Sequence, residues 1–375
     1  MNIPVSPEKD HPSCILCGRC LEVCPLFKVT AHEEMSPRGK AFLVQHFSSK
    51  DISLKEASKL AGLCAGCNRC TTVCPQGIDL PRLISSLKSR HPGWKNWLFS
   101  RMLTNGAFFL PLINLGGRLL PQGGSAKVFS PPRSSITPLF KTRVSRKHSG
   151  RAVIFPGCFG RYLRRNLTEK AVHILGSTGM EILPTPAWKC CGFPLGQAGF
   201  LQEKQACMQA NIKMWQELGR PRVYTFCATC RAGLTSDDSP EQLSAAMRML
   251  ARHTFSLSSI LPDLSIEPLS HAGPQQFIWH EPCHGAQATA PALQEILGAE
   301  NHGLKVPAGQ CCGLGGAFRL QSPRLSLQVA HDLWEHLSPQ ASDLCLTECA
   351  GCMMQLASTA PRGTKTAHWL DLFQK

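Results

Sequence analysis

Nowhere in these 375 residues does an apolar run reach the ~20 positions that a membrane span requires. The best candidate, GAFFLPLINLGG (106–117), is short and broken by Pro111 and Asn114. The opening stretch MNIPVSPEKDHP lacks the apolar core of a secretory signal. No GxGxxG follows a strand-like run, so no nucleotide or flavin site is expected on this chain. Acidic side chains are in deficit, 25 against 40 Lys and Arg, which leaves a charge of +15. No basic–aromatic module accompanies that excess, so nucleic acid is not an expected partner. The reading is a cytoplasmic protein, with a peripheral seat on the cytoplasmic membrane face as a further option.

Cysteine is abundant instead, at 20 residues. Disulfides rarely persist in the cytoplasm, and a hydrophobic fraction of 43% suffices for packed cores without staples. Metal binding is therefore the leading account. Residues 14–25 read CILCGRCLEVCP, and residues 64–75 read CAGCNRCTTVCP. The spacing C-x2-C-x2-C-x3-C-P is the bacterial ferredoxin run, in which three cysteines hold one cubane and the fourth reaches its neighbour. The expectation is two cubane [4Fe–4S] clusters. Cys14, Cys17, Cys20 and Cys74 would hold one; Cys64, Cys67, Cys70 and Cys24 would hold the other. Zinc prefers separated pairs that complete one tetrahedron and fits this spacing poorly. A cluster core of about +2 on four thiolates nets about −2, so clusters would absorb part of the basic excess. Gly18 and Gly66 should let the backbone approach the cluster sulfides.

The fold class expected is α+β: a mainly helical dicluster ferredoxin module over 1–92, then two duplicated α/β domains. In the first module, 36–47 and 53–63 read as helices, with Ser36 as N-cap and a Ser53–Glu56 capping box. Arg38 and Lys40 read as a solvated helix start, with partner docking as the alternative. A helical connector and linker occupies 93–150. Its first part, 94–121, reads as helices that pack or meet a membrane interface, and 121–150 reads as an extended linker rich in Pro, Gly and Ser.

The remaining cysteines repeat. Cys158, the Cys190–Cys191 pair before Gly192, and Cys227-x2-Cys230 recur as Cys283, Cys311–Cys312 before Gly313, and Cys349-x2-Cys352. The offsets are 125, 121 and 122 residues, which marks a duplicated unit over 151–270 and 271–375. Apolar strand-like runs end at Cys158, Cys227, Cys283 and Cys349, and the helical patterns 202–219 and 323–337 follow the paired cysteines. Alternating strands and helices predict parallel βαβ units, which gather ligands at the carboxyl ends of their strands. Adjacent cysteines can serve one centre only if the backbone turns, and Gly192 and Gly313 supply that freedom. Cys207 and Cys345 are left as core residues, and His280 and His284 as structural or supporting ones.

The pattern C-x31-CCG-x34-CxxC, repeated as C-x27-CCG-x35-CxxC, resembles the paired CCG domains of heterodisulfide reductases. It also resembles the iron–sulfur subunits of glycolate oxidase and of anaerobic glycerol-3-phosphate dehydrogenase. PRGK (37–40) and HWLDLF (368–373) look more like the glycolate oxidase subunit; two complete CxxC pairs look more like heterodisulfide reductase. The resemblance implies one or two further noncubane [4Fe–4S] clusters. One would sit on Cys158, Cys190, Cys191, Cys227 and Cys230, the other on Cys283, Cys311, Cys312, Cys349 and Cys352. It implies an electron-transfer subunit of a 2-hydroxyacid dehydrogenase, with FAD on a partner subunit and a quinone or other carrier as acceptor. The alternatives are a disulfide-reducing subunit and a glycerol-3-phosphate dehydrogenase subunit.

Overall fold

Local chemistry starts the amino-terminal helices where the sequence places them. In the computed structural model, which describes residues 13–45, 53–119, 136–145, 148–236, 241–269 and 275–375, Ser36 Oγ accepts the Gly39 N–H at 2.9 Å and opens the helix Pro37–Gln45. The Ser53–Glu56 capping box opens Leu54–Gly62. Residues 46 and 47 and most of the linker 121–150 lie outside the described residues. The segment 94–121 forms the helices Gly93–Thr104 and Gly106–Leu119, and its last two residues are likewise outside. No described helix is long and apolar enough to cross a membrane.

Two compact units emerge. The first combines Met1–Arg101, Pro194–Glu203 and Cys311–Leu333; the second combines Met102–Phe193, Lys204–Gln310 and Trp334–Lys375. In the first, helices Pro37–Gln45, Leu54–Gly62 and Leu80–Arg90 pack around Ala41, Ala57, Ile84 and Leu87, and Cys14, Cys64, Cys70 and Cys74 lie against that core. Two later stretches of chain are built into this unit. Ser85 Oγ donates to the Gly196 carbonyl, Lys88 Nζ to the Gln197 carbonyl at 3.2 Å, and Gln197 Nε2 to the Gly66 carbonyl at 2.7 Å. From the other stretch, Gln321 Nε2 donates to Asn96 Oδ1 at 2.6 Å.

The second unit holds every described strand: β1 (Phe140–Arg143), β2 (Arg151–Ile154), β3 (Glu181–Ile182), β4 (Arg222–Thr225), β5 (Thr254–Ser256), β6 (Ser265–Pro268), β7 (Gln276–Trp279), β8 (Gly303–Lys305), β9 (Leu344–Thr347) and β10 (Lys365–His368). β1 and β6 form an antiparallel pair. The others form two four-stranded parallel sheets, ordered β3-β2-β4-β5 and β8-β7-β9-β10. Both orders read second–first–third–fourth along the chain, so the duplication inferred from cysteine spacing is also a duplication of topology. Leu201–Glu217 and Pro323–Leu337 are the expected helices, with Met208, Ile212 and Trp215 buried on one, and Val329, Leu333 and Leu337 on the other.

The carboxyl-terminal HWLDLF segment is wholly buried. Asp371, with no exposed surface, accepts from Arg164 Nη2 at 2.9 and 3.1 Å and from the His368 backbone N–H at 3.2 Å. Removing one partner of a buried pair leaves an uncompensated charge, at about 3–5 kcal/mol. Asp371→Ala should therefore lose most of the domain's stability in denaturant unfolding, whereas Lys375→Ala, which breaks only an exposed pair with Glu169, should leave the midpoint nearly unchanged.

Candidate metal centres

Each ferredoxin run wraps a short loop whose third cysteine rides on a single helical turn. Gly18 (φ 80°) and Gly66 (φ 63°) are both left-handed, and so are Leu16 (φ 57°) and Asn68 (φ 62°). Leu16 takes the place of Gly66 and Asn68 that of Gly18, so cysteine spacing, not glycine, imposes this backbone. A left-handed leucine costs about 1–2 kcal/mol, and glycine counting misses it.

The first unit contains two small cavities among these loops. One, of about 40 Å³, is lined by Cys14, Cys17, Cys20 and Cys74; the other, of about 20 Å³, by Cys24, Cys64 and Cys67; Cys70 borders both. Burial pushes the Cys20, Cys24 and Cys70 thiols up, and neighbouring thiolates add to this at each. Lys40 corrects the solvated-helix reading. It is 2% exposed, donates from Nζ to the Met35 carbonyl at 2.6 Å, and lines the Cys24 cavity. Arg38 stays at the surface beside Glu33, 2.7 Å away.

In the second unit, Cys158, Cys190, Cys191, Cys227 and Cys230 converge beyond the carboxyl ends of β2 and β4. Cys191 exchanges hydrogen bonds with Cys190 and Cys230, and Cys230 with Cys227. Hydrogen bonds from Cys190 and Cys230 hold Cys191 well below the ordinary thiol range, while burial pushes Cys158 up to about 12. Gly192 has φ 81°, and a Cβ there would sit 2.9 Å from Lys204 Cγ; Gly313 shares the φ of 81°, and its Cβ would lie 2.7 Å from the Ser326 carbonyl oxygen. The CCG turn is thus left-handed and tightly covered both times. Cys158 and Cys190 also border a cavity of about 340 Å³, with Arg161, Lys189, Tyr162 and Phe108 among its walls.

Cys283, Cys349 and Cys352 belong to the second unit, and Cys311 and Cys312 to the first. Within the first unit, the Cys311 and Cys67 sulfurs lie within 4.8 Å of each other. Within the second, Cys349 exchanges a hydrogen bond with Cys227 and lies 3.2 Å from Thr229 Oγ1. Such buried sulfur clusters keep all their thiols deprotonated only against a compensating multivalent cation, so the donor chemistry fits iron–sulfur groups. Cys207 is buried on its helix, and Cys345 lies in β9, its thiol pushed up to about 12 by burial.

The supporting groups were less legible. His280 is buried against Thr347 and the Gln310 carbonyl, and the His284 ring meets Phe193 at 4.7 Å. Arg231 donates to the His284 and Gly285 carbonyls at 3.1 and 3.0 Å. Glu348 accepts from Thr289 at 2.7 Å, from Ser258 at 3.2 Å and from the Ala286 N–H at 2.5 Å. Both charged side chains sit next to a paired cysteine and grip the loop after Cys283. That adjacency was the only sequence signal available for them.

Residues 11–78 match the 4Fe-4S dicluster domain, and residues 152–235 and 277–357 each match the cysteine-rich domain. The chain is 23% identical to the probable glycolate oxidase iron-sulfur subunit of Bacillus subtilis, over 93% of this chain and 89% of that protein. It is 24% identical to a subunit of the anaerobic glycerol-3-phosphate dehydrogenase of Escherichia coli, over 93% and 94% respectively. It is also 24% identical to a subunit of the dihydromethanophenazine:CoB–CoM heterodisulfide reductase of Methanosarcina acetivorans, over 92% and 88%.

His368 fixes the strand end before Cys227. Its Nε2–H donates to the Phe226 carbonyl at 2.8 Å, and Nδ1 accepts the Leu370 N–H at 3.2 Å. Burial lowers its pKa to about 4, against the usual ~6.5. Between those values an unfolded chain takes up a proton that the folded one refuses. Stability should therefore fall as pH drops through this window, by about 1.4 kcal/mol per unit. Denaturant titrations from pH 7 to pH 4 should show this slope, and His368→Gln should flatten it.

Proposed function

The chain belongs to the iron–sulfur family that joins a 4Fe–4S dicluster domain to two cysteine-rich CCG domains, and on that premise we propose that it is the electron wire of a flavin-linked 2-hydroxyacid dehydrogenase complex. Bound clusters supply one-electron redox capacity that no side chain here provides. Cys14, Cys17, Cys20 and Cys74 hold one cubane; Cys24, Cys64, Cys67 and Cys70 hold the other. By the repeat, Cys158, Cys190, Cys191, Cys227 and Cys230 hold a noncubane cluster, and Cys283, Cys311, Cys312, Cys349 and Cys352 a second. FAD belongs to the partner subunit, and the acceptor is a quinone or a comparable carrier.

The observation that carries this reading is sulfur proximity within each unit. In the first, Cys70 borders both dicluster cavities and Cys67 lies within 4.8 Å of Cys311. In the second, Cys349 hydrogen-bonds with Cys227 of the first CCG set. There the 340 Å³ cavity beside Cys158 and Cys190 is large enough for a small organic acceptor. Its cationic Arg161 and Lys189 suit electron-rich oxygens. In the dicluster module, Ile15, Leu16 and Phe42 are 58%, 57% and 54% exposed, an apolar surface of the kind a donor subunit covers. Trp94 and Phe108, 71% and 65% exposed, are suited to a partner or a membrane surface.

A second reading, reduction of a disulfide at the first CCG set, is favoured by the completeness of both CxxC pairs and by the same cavity. Copurification separates the two. A flavoprotein companion, with cluster reduction by glycolate or lactate, supports the wire; a cluster EPR signal induced by a thiol or disulfide, without such a companion, supports the reductase.

The crossed ligation makes a sharper forecast. In anaerobically reconstituted protein, Cys74→Ser and Cys17→Ser should each remove the same cubane's iron and sulfide, and their residual EPR spectra should coincide. Differing residual spectra would show that each run serves its own cluster.

A further inference from the structure

The two CCG sets match in ligands and topology, yet one side chain crosses from the first repeat to a sulfur of the second. Thr229 lies inside the first CxxC pair, and its Oγ1 is 3.2 Å from Cys349 Sγ. We propose that Thr229 sets the reduction potential of the cluster bound through Cys349, by donating a hydrogen bond to that sulfur. The proposal rests on the reading of Cys349 as a cluster ligand.

Three observations support it. A ligating cysteine is a thiolate and carries no proton, so the hydroxyl must be the donor in this pair. The contact is also held in place from both sides. The Ala228 N–H donates to the Glu348 carbonyl at 3.1 Å, and Arg231 donates to the His284 and Gly285 carbonyls. Finally, the offset of 122 that carries Cys227 onto Cys349 carries Thr229 onto Gly351, which has no hydroxyl. The first repeat's cluster therefore receives no equivalent bond from this position, and the duplication is broken at this point.

A donor aimed at a ligand sulfur stabilises the reduced state, which bears one more negative charge, more than the oxidised state. Reduction adds one electron from the reductant; no bond forms or breaks, and the hydroxyl keeps its proton. Thr229 is thus a positioning residue in electronic terms. It leaves the ligand set unchanged and alters where the electron rests.

The test is a dithionite titration of the anaerobically reconstituted full chain, followed by EPR. Cys349→Ser first identifies the signal that depends on this ligand. Thr229→Val should move that signal's midpoint to lower potential, with iron and sulfide content unchanged and the other midpoints unmoved. Thr229→Ser should restore the parental midpoint. Should Thr229→Val load poorly, Thr229→Ala serves as the second variant with the same expected shift. An unchanged midpoint in a fully loaded Val or Ala variant overturns the proposal. Should Cys349→Ser leave every signal and the iron content intact, the ligand reading fails, and this proposal fails with it.

Discussion

Thiols crowded together out of water set the terms for this protein. Burial leaves a thiolate poorly solvated and so resists loss of the proton, and each neighbouring thiolate makes the next loss harder, although hydrogen bonds donated by neighbours outweigh this at Cys191. The polypeptide answers with little positive charge of its own: Lys40 near Cys24, Lys88 near Cys64, and Lys204 near Cys191. The burial of Lys88 even lowers its own pKa. Left-handed loops, the CCG turns and the placing of strand ends all serve to hold sulfurs where only a metal core could neutralise them together.

The duplicated domains meet this demand with one plan used twice. A parallel sheet in the order second–first–third–fourth brings two strand ends together, and a cysteine caps the helix after the third strand in both. Cys227 and Cys349 have nearly the same backbone angles, φ −119° with ψ 117° and φ −120° with ψ 122°. What surrounds the sulfurs is not duplicated. Phe226 precedes one and Glu348 the other, while Thr229 corresponds to Gly351 and Arg231 to Met353 across the repeat. The backbone keeps the ligand geometry, and the side chains vary the charge and hydrogen bonding around it.

Much of this was readable from spacing, because a cluster's demands on sequence are local: C-x2-C-x2-C-x3-C leaves few alternatives, and a strand run followed by cysteine is a short-range signal. The capping residues Ser36 and Ser53 were legible for the same reason. Lys40 was not, because a lysine in a first helical turn usually faces water, and only tertiary packing turns this one inward. Leu16 and Asn68 escaped because propensity assigns left-handed backbone to glycine, and here the loop geometry overrides it. Gln197, Arg231 and Glu348 act on partners 131, 53 and 62 residues away, separations that no local pattern records.

The placing of Pro194–Glu203 and Cys311–Leu333 in the same unit as the amino-terminal helices has a consequence for biogenesis. At about 5–20 residues per second, the ribosome needs roughly 10 to 50 s after residue 101 to deliver residue 333. Until then the amino-terminal module lacks one or both later segments: first Gln197, which meets Gly66 and Lys88, and then Gln321, which meets Asn96. A nascent chain thus shows half-finished thiol loops to its surroundings for most of its synthesis, and iron delivery has to compete with oxidants throughout that interval.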